Sequence, residues 1–157
     1  LQSDAGRFEC TVSALRWVCK EKVSFKYQFC SWEDHSERPL CIGYMPAGPL
    51  LDITVKAGKF EEVHLPHWIC VDHSSKMSDM FAVLHIDTCG DFLEQVFEVT
   101  SSHVKLIQPV FSPRLVMIRK RLGLPVKVFY DVWIYMTIQS ALTLHIYLVP
   151  PDPALKK

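Results

Sequence analysis

Alternation of apolar and polar residues with a period of two is the feature that most constrains how this chain folds. It runs through Val23–Phe29, Leu51–Val55 and Leu142–Leu148. Successive side chains of a β-strand point to opposite faces, so each segment offers one apolar face to a core. No segment shows the helical period over three turns. The pattern therefore predicts β-strands and no long helix.

Further apolar segments, bounded by ten prolines and six glycines, complete an all-β pattern. Short strands with frequent turn signals are typical of an antiparallel β-sandwich, which is the fold we predict. We expect a polar loop or a single helical turn at Ser74–Asp79. The other predicted strands are Phe8–Val12, Leu15–Cys19, His67–Val71, Phe81–Ile86, His103–Ile107, Leu115–Arg119 and Val126–Tyr135.

Length and charge narrow the class of protein. The chain has 157 residues, of which 49% are apolar and 22% charged. This predicts one ordered domain over residues 1–157. Seventeen cationic and seventeen anionic side chains give the chain no net charge. Net charge therefore provides no general attraction to nucleic acid or to an acidic membrane. No apolar stretch reaches the length of a membrane span. Leu1 in place of an initiator Met predicts a fragment of a longer protein.

Six cysteines are spread widely, without a C-x-x-C pair. Several lie inside apolar runs, where free cysteine behaves as a small buried hydrophobe. We expect reduced thiols and an intracellular location, with a disulfide framework as the alternative. The cysteines are Cys10, Cys19, Cys30, Cys41, Cys70 and Cys89.

Two groups of residues suggest ligand binding, and a structural role accounts for each. His64, His67, Cys70 and His73 are zinc-ligand types at every third position. Strand parity sends adjacent members to opposite faces, so we expect no metal and no cofactor. A run of basic residues, which could bind phosphate, is expected to be a solvated loop. Its members are Arg114, Arg119, Lys120, Arg121 and Lys127.

The segment Phe111-Ser112-Pro113 suggests covalent chemistry. A serine hydroxyl can attack the preceding carbonyl carbon and convert the amide into an ester, which water hydrolyses. Such an N-to-O acyl shift requires a base near the hydroxyl and a strained backbone. Histidine is the natural base at neutral pH, and His85 and His103 both lie upstream. The structural alternative is a strand interrupted by prolines.

Four segments together resemble the function-to-find domain (FIIND) of CARD-containing, NOD-like-receptor inflammasome sensors and their CARD-only relatives. The resemblance covers about Phe8 to Asp152 and implies a β-sandwich of the ZU-five type. It further implies a UPA subdomain and a CARD of the same protein as partners, both outside this chain. The segments are Ala47–Ile53, Val63–Trp68, Phe111–Pro113 and Leu144–Pro150.

The resemblance also implies a function. Members of this family cleave themselves between Phe and Ser, here Phe111 and Ser112, and the fragments stay associated. The implied role is regulation of a cytoplasmic innate immune sensor, with a cytosolic dipeptidyl peptidase as a further partner. Cleavage happens once per chain, so it is maturation rather than turnover catalysis.

The residue matching the family's catalytic histidine is His85, in Val83-Leu84-His85-Ile86. The family glutamate four positions later is replaced by Cys89, and a neutral thiol cannot orient an imidazole as a carboxylate does. Asp87 or Asp91 could substitute for it.

Three alternatives stay open. The chain could be a non-cleaving protein-interaction scaffold. His85 could be a satisfied core histidine. A thiol protease using Cys89 with His85 is the third, although nothing else in the sequence supplies an oxyanion pocket.

Overall fold

The computed structural model of the protein describes residues 1–35, 37–38, 42–72, 76–109, 113–120, 125–138 and 141–156. Within these residues the chain forms two packed antiparallel sheets and a separate hairpin, which confirms the predicted all-β sandwich. The described helices are short 3-10 turns at Glu33–His35, Lys76–Met80 and Pro153–Lys156.

The larger sheet has seven strands, in the order β1-β4-β6-β12-β8-β9, with β5 pairing the far half of β12. Its strands are β1 (Gln2–Ser3), β4 (Val23–Cys30), β5 (Tyr44–Pro46), β6 (Leu50–Ala57), β8 (Phe81–His85), β9 (Phe92–Glu94) and β12 (Arg114–Arg119). The smaller sheet has the order β10-β11-β7-β3-β2. Its strands are β2 (Gly6–Glu9), β3 (Arg16–Cys19), β7 (Glu62–Pro66), β10 (Glu98–Val99) and β11 (His103–Ile107).

The period-two pattern builds the core between the sheets. Phe25, on β4, and Trp17, on β3, meet edge to face at 5.0 Å between ring centroids, and Phe60 packs against Phe25 in the same way. Ile53 and Val63 bring the aliphatic sides of β6 and β7 into the same cluster. Burial of apolar surface here stabilises the sandwich.

Strands β8 and β12 are buried on both faces. Their inward side chains join the main core, and their outward side chains form a second cluster beneath Trp32, Tyr44 and Leu93. Both strands therefore form nearly continuous apolar runs. Any polar group on them is removed from water and needs a partner inside the protein.

A tight corner ties the two sheets together. The Ala47 N–H donates to the Val116 carbonyl of β12, and the Trp68 N–H donates to the Ala47 carbonyl, each at 2.8 Å. A Cβ atom on Gly48 would lie 2.3 Å from the Pro66 carbonyl oxygen, so only glycine fits there. Two of the segments that carry the family resemblance thus contact each other directly.

The hairpin of β13 (Asp131–Ile138) and β14 (Leu142–Val149) extends away from the sandwich. One of its faces is entirely aliphatic, and each of those side chains is at least 57% exposed. They pair across the strands as Val132 with Leu148, Ile134 with Ile146, Met136 with Leu144, and Ile138 with Leu142. Folded monomeric proteins rarely expose a contiguous apolar surface of this kind.

Some local predictions are wrong. His67–Val71 is not a strand, because Pro66 ends β7 and the segment afterwards makes only an isolated bridge between Ile69 and Val128. Val126–Tyr135 places the strand too early, since β13 begins at Asp131. Glu62–Pro66 forms a central strand that the pattern did not single out. Arg114 does not lie in a solvated loop but is buried on β12.

The described cysteines, which exclude Cys41, form no disulfide. Among the described helices, none has the length and hydropathy that crossing a membrane requires.

Candidate functional site

His85 is the last residue of β8 and is 1% exposed. It pairs with Arg114 on β12 and with Phe92 on β9. The Phe92 ring stacks on the imidazole at 4.3 Å between centroids. Phe92 is half exposed at the end of the sheet, so its ring covers the imidazole from solvent.

An ion pair lies beside this imidazole. Arg114 Nε is 3.5 Å from Glu94 Oε2, and Arg114 is 1% exposed. Burial lowers the pKa of the Arg114 guanidinium, and the Glu94 carboxylate opposes that shift. Removal of either partner would leave a buried charge without compensation.

Strand register places Glu94 close to His85. Glu94 pairs with Val83, two residues before His85 on β8, so it shares the His85 face and is its diagonal neighbour. Such neighbours are separated by about 7–8 Å, within reach of a long side chain. His85, Arg114 and Glu94 thus form one polar group at the end of three adjacent strands.

The chain reaches this group directly after the predicted nucleophile. Phe111 and Ser112 lie outside the described residues. The next residue, Pro113, accepts a hydrogen bond from the Ile86 N–H at 2.9 Å, beside the pair of His85 with Arg114. Upstream, Gln108 has φ of 45°, a left-handed conformation that costs free energy for a residue other than glycine.

The predicted substitutes for the family glutamate lie on the turn after β8. The Asp87 carboxylate accepts hydrogen bonds from the Cys89 N–H and the Thr88 hydroxyl, and these lower the pKa of Asp87. β8 ends at His85, so strand parity does not fix the face of Asp87, but its carboxylate interacts electrostatically with His85, which also lowers the pKa of Asp87. Cys89 is exposed, and Asp91 forms an ion pair with Arg38.

His103, the alternative base, lies on β11 of the smaller sheet. Its Nε2 is 2.7 Å from the Ala14 carbonyl oxygen, and its Nδ1 is 2.8 Å from the Ser102 hydroxyl. In the neutral ring Nε2–H donates to the carbonyl, and Nδ1 accepts from the hydroxyl. Both nitrogens are therefore engaged, Nε2 with the loop that contains Ala14 and Nδ1 with the adjacent Ser102.

The residues with zinc-ligand spacing are separated by their local contacts. His64 Nε2 lies 3.0 Å from Glu62 Oε2. His67 Nε2 donates to the Thr100 carbonyl at 2.8 Å, and its Nδ1 accepts from the Ile69 N–H. His73 lies outside the described residues. Within the described part of the chain, no three histidine, cysteine or acidic side chains are placed to hold a metal ion.

The sequence reasoning missed Glu94 and named Arg114 only as a member of the basic run, not as part of this site. Each is a single charge among apolar residues, which is a weak signal because most such charges are exposed at strand ends. Their significance depends on the pairing of β12, β8 and β9, and spacing along the chain does not reveal that pairing. A charged residue in a strand buried on both faces is the signal that could have found Arg114.

The family model "Function to find" (FIIND) matches residues 1–124. The chain belongs to the FIIND family. The match includes β1 to β12, whereas the hairpin of β13 and β14 lies beyond it.

Curated proteins resemble the chain over nearly all of its length. "NACHT, LRR and PYD domains-containing protein 1 homolog" of Danio rerio is 34% identical over 100% of the chain. "NACHT, LRR and PYD domains-containing protein 1b allele 1" of Mus musculus is 31% identical over 98%. This FIIND chain corresponds to 11% of the first relative and 13% of the second.

The buried histidines predict a pH dependence of stability. Burial lowers the pKa of His67 and of His103 below the value in the unfolded chain. The unfolded state therefore binds more protons in mild acid, and the free energy of unfolding falls as the pH drops through about 6.5. We expect His103→Gln to reduce the loss of unfolding free energy between pH 7 and pH 5, as measured by urea unfolding.

His145→Gln is the matched control for this measurement. His145 is exposed on β14, where an imidazole is hydrated in both the folded and the unfolded chain. This variant should keep the pH dependence of the parent protein. An unchanged slope in His103→Gln would contradict the assignment of the acid sensitivity to His103.

Proposed function

We propose that this FIIND chain is an autoproteolytic regulatory module that cleaves itself between Phe111 and Ser112. The observation that carries the proposal is the buried His85 beside the point where the chain enters β12, immediately after Ser112. A base held in a site shielded from water suits a single proton transfer to a neighbouring group.

The reaction proceeds through two bond exchanges. The His85 imidazole accepts the Ser112 hydroxyl proton while the oxygen attacks the Phe111 carbonyl carbon. The carbon–nitrogen bond then breaks, and the imidazolium returns the proton to the leaving amine, which gives an ester. Water hydrolyses that ester and leaves a carboxylate on Phe111, with the free amine and restored hydroxyl on Ser112.

The neighbouring ion pair supports this role. Arg114 lies directly opposite His85 in the pairing of β12 with β8, so the ion pair of Arg114 with Glu94 adjoins the imidazole. Glu94 compensates Arg114 and gives the imidazolium formed during attack a carboxylate on the same face. We propose Glu94 as the positioning residue, in place of the carboxylate absent at Cys89, with Asp87 and Asp91 as the alternatives.

The sheet order explains how the fragments would stay together. Cleavage before Ser112 leaves β12 on the C-terminal fragment, yet β12 is paired with β8, β6 and β5 of the N-terminal fragment. Its residues Leu115–Ile118 are each at most 1% exposed. Burying such side chains contributes about 2 kcal/mol each, so separation requires the larger sheet to open.

The family and its relatives support a proposal for the setting of the module. We propose that residues 1–157 are the ZU-five part of a cytoplasmic innate immune sensor of the inflammasome type. A UPA subdomain and a CARD of the same protein would be its intramolecular partners. A cytosolic dipeptidyl peptidase would be a partner in trans.

Intact mass under denaturing conditions tests the cleavage. We expect the freshly made protein to show two fragments, the second beginning at Ser112, that elute together under native conditions. Ser112→Ala and His85→Ala should each show the full-length mass alone, because one lacks the nucleophile and the other the base. An unbroken parent chain, or a cleaved Ser112→Ala chain, would eliminate this function.

A variant of the ion pair tests the proposed role of Glu94. Glu94→Gln keeps the shape of the side chain but removes its charge, so cleavage should slow by about tenfold to a hundredfold, the range for an orienting group. Asp87→Asn tests the alternative, because the Asp87 carboxylate also interacts electrostatically with His85, and it should slow cleavage less than Glu94→Gln does. The readout is the fraction cleaved against time after synthesis. The reverse result would assign the role to Asp87.

A second candidate function is a protein-interaction scaffold, which the exposed hairpin favours. Its aliphatic face carries no charge and its side chains lie open to solvent. Such a face binds another protein surface. We propose the adjoining UPA subdomain as the first occupant, and this function is compatible with cleavage.

Hydrogen exchange tests the scaffold function. The amides of β13 and β14 should exchange more slowly in the full-length protein than in the 157-residue chain. Ile134→Lys combined with Ile146→Lys should abolish that protection, because both charges lie on the aliphatic face. Thr137→Lys with Thr143→Lys, a cross-strand pair on the opposite face, should preserve it. Equal exchange in both proteins would contradict an intramolecular occupant.

A further inference from the structure

A cavity of about 230 Å³ lies where the hairpin joins the sandwich. The residues that line it include two tryptophans, Trp32 and Trp68, and two acids, Glu33 and Asp152. Among the described residues, no lysine, arginine or histidine lines it. The space is comparable to one large side chain rather than to a complete small-molecule ligand.

The chain fixes this cavity from both ends of the hairpin. Before β13, the Phe129 N–H donates to the Trp68 carbonyl at 2.8 Å. After β14, the 3-10 turn Pro153–Lys156 contacts β4 of the sandwich, and its Leu155 N–H donates locally to the Asp152 carbonyl at 3.1 Å. The walls therefore belong to both the sandwich and the segment that follows the hairpin.

The Asp152 carboxylate lies in an unusual position for an acid. Asp152 is 7% exposed, and its Oδ1 accepts a hydrogen bond from the Ala154 N–H at 3.0 Å. Burial raises the pKa of this carboxyl, and the hydrogen bond only partly opposes the shift. A cation in the adjacent cavity would offset the cost of burying that charge.

The aromatic walls favour the same type of ligand. Trp68 is 7% exposed, and indole is the aromatic ring that attracts cations most strongly. A guanidinium is planar, stacks on aromatic faces and donates two parallel hydrogen bonds to a carboxylate. Two tryptophans and a buried acid that line one small cavity are matched by an arginine side chain.

We propose that this cavity binds an arginine side chain of another polypeptide, with its guanidinium between the indoles and Asp152. The occupant approaches at the root of the hairpin, where a protein bound to the aliphatic face would lie nearby. The proposal is independent of cleavage at Ser112, because none of the residues that line the cavity belongs to the group around His85.

Titration of the ¹⁵N-labelled 157-residue chain with N-acetyl-arginine amide tests the proposal. The indole N–H resonances of Trp32 and Trp68 should shift, while those of Trp17 and Trp133, which do not line the cavity, should not. The dissociation constant should be about tenfold lower than for N-acetyl-citrulline amide, the neutral isostere. Equal affinity for the two amides would overturn the proposal, as would tighter binding of N-acetyl-lysine amide.

Two variants locate the charge and the aromatic contribution. Asp152→Asn should weaken arginine binding about tenfold and leave citrulline binding unchanged. Glu21→Gln, exposed and remote from the cavity, should bind like the parent. Trp32→Leu keeps an apolar wall and should also weaken binding. An unchanged Trp17 resonance verifies the fold in each case, and parent-like binding by Asp152→Asn and Trp32→Leu would refute the assignment.

Discussion

Burial of β8 and β12 on both faces is the constraint on which the structure depends. The two strands lie at the centre of the larger sheet, and their alternate side chains enter two separate apolar clusters. A polar group there has no access to water, so it must be paired inside the protein. Arg114 forms an ion pair with Glu94, and the pair places a carboxylate diagonal to His85. The ion pair that offsets the charge of a buried arginine therefore also lies beside the histidine that we propose as the base.

The path of the chain between the sheets adds a second condition. Residues 108–113 connect β11 of the smaller sheet to β12 of the larger one, between ends that hydrogen bonds hold in place. Gln108 donates its N–H to the Glu61 carbonyl at 2.8 Å, and Pro113 accepts from Ile86. At the start of this connection Gln108 has a left-handed φ, which costs free energy for a residue other than glycine. The pairings of β12 with β5, β6 and β8 begin after the Phe111–Ser112 bond, at Arg114.

Sequence reasoning predicted the parts of this structure that depend on local pattern. Alternation over Val23–Phe29 and Leu51–Val55 gave strands and faces that the structure confirms, and His103–Ile107 has the predicted bounds. Sequence reasoning failed where contacts between residues distant in the chain decide whether a segment becomes a strand or which side chains pair. His67–Val71 has the composition of a strand, but Pro66 ends the ladder and the neighbouring strand β11 begins opposite it. Glu94 and Arg114 could not be recognised as partners, because their contact depends on strand register rather than spacing.

The alternation that builds the core has the opposite consequence in the hairpin. Ile118 on β12 is covered by the rest of the sandwich, whereas Ile134 on β13 is 64% exposed. Both strands follow Ser112. A fragment that begins there would contain β12, whose side chains are buried in the sandwich, and β13, whose aliphatic face has no covering surface. A partner that bound the hairpin would bury new apolar area without disturbing β12. The free energy of binding at the hairpin is therefore separate from the free energy that would hold the fragment through β12. Binding at the hairpin would release the fragment only if it also opened the sheet around β12.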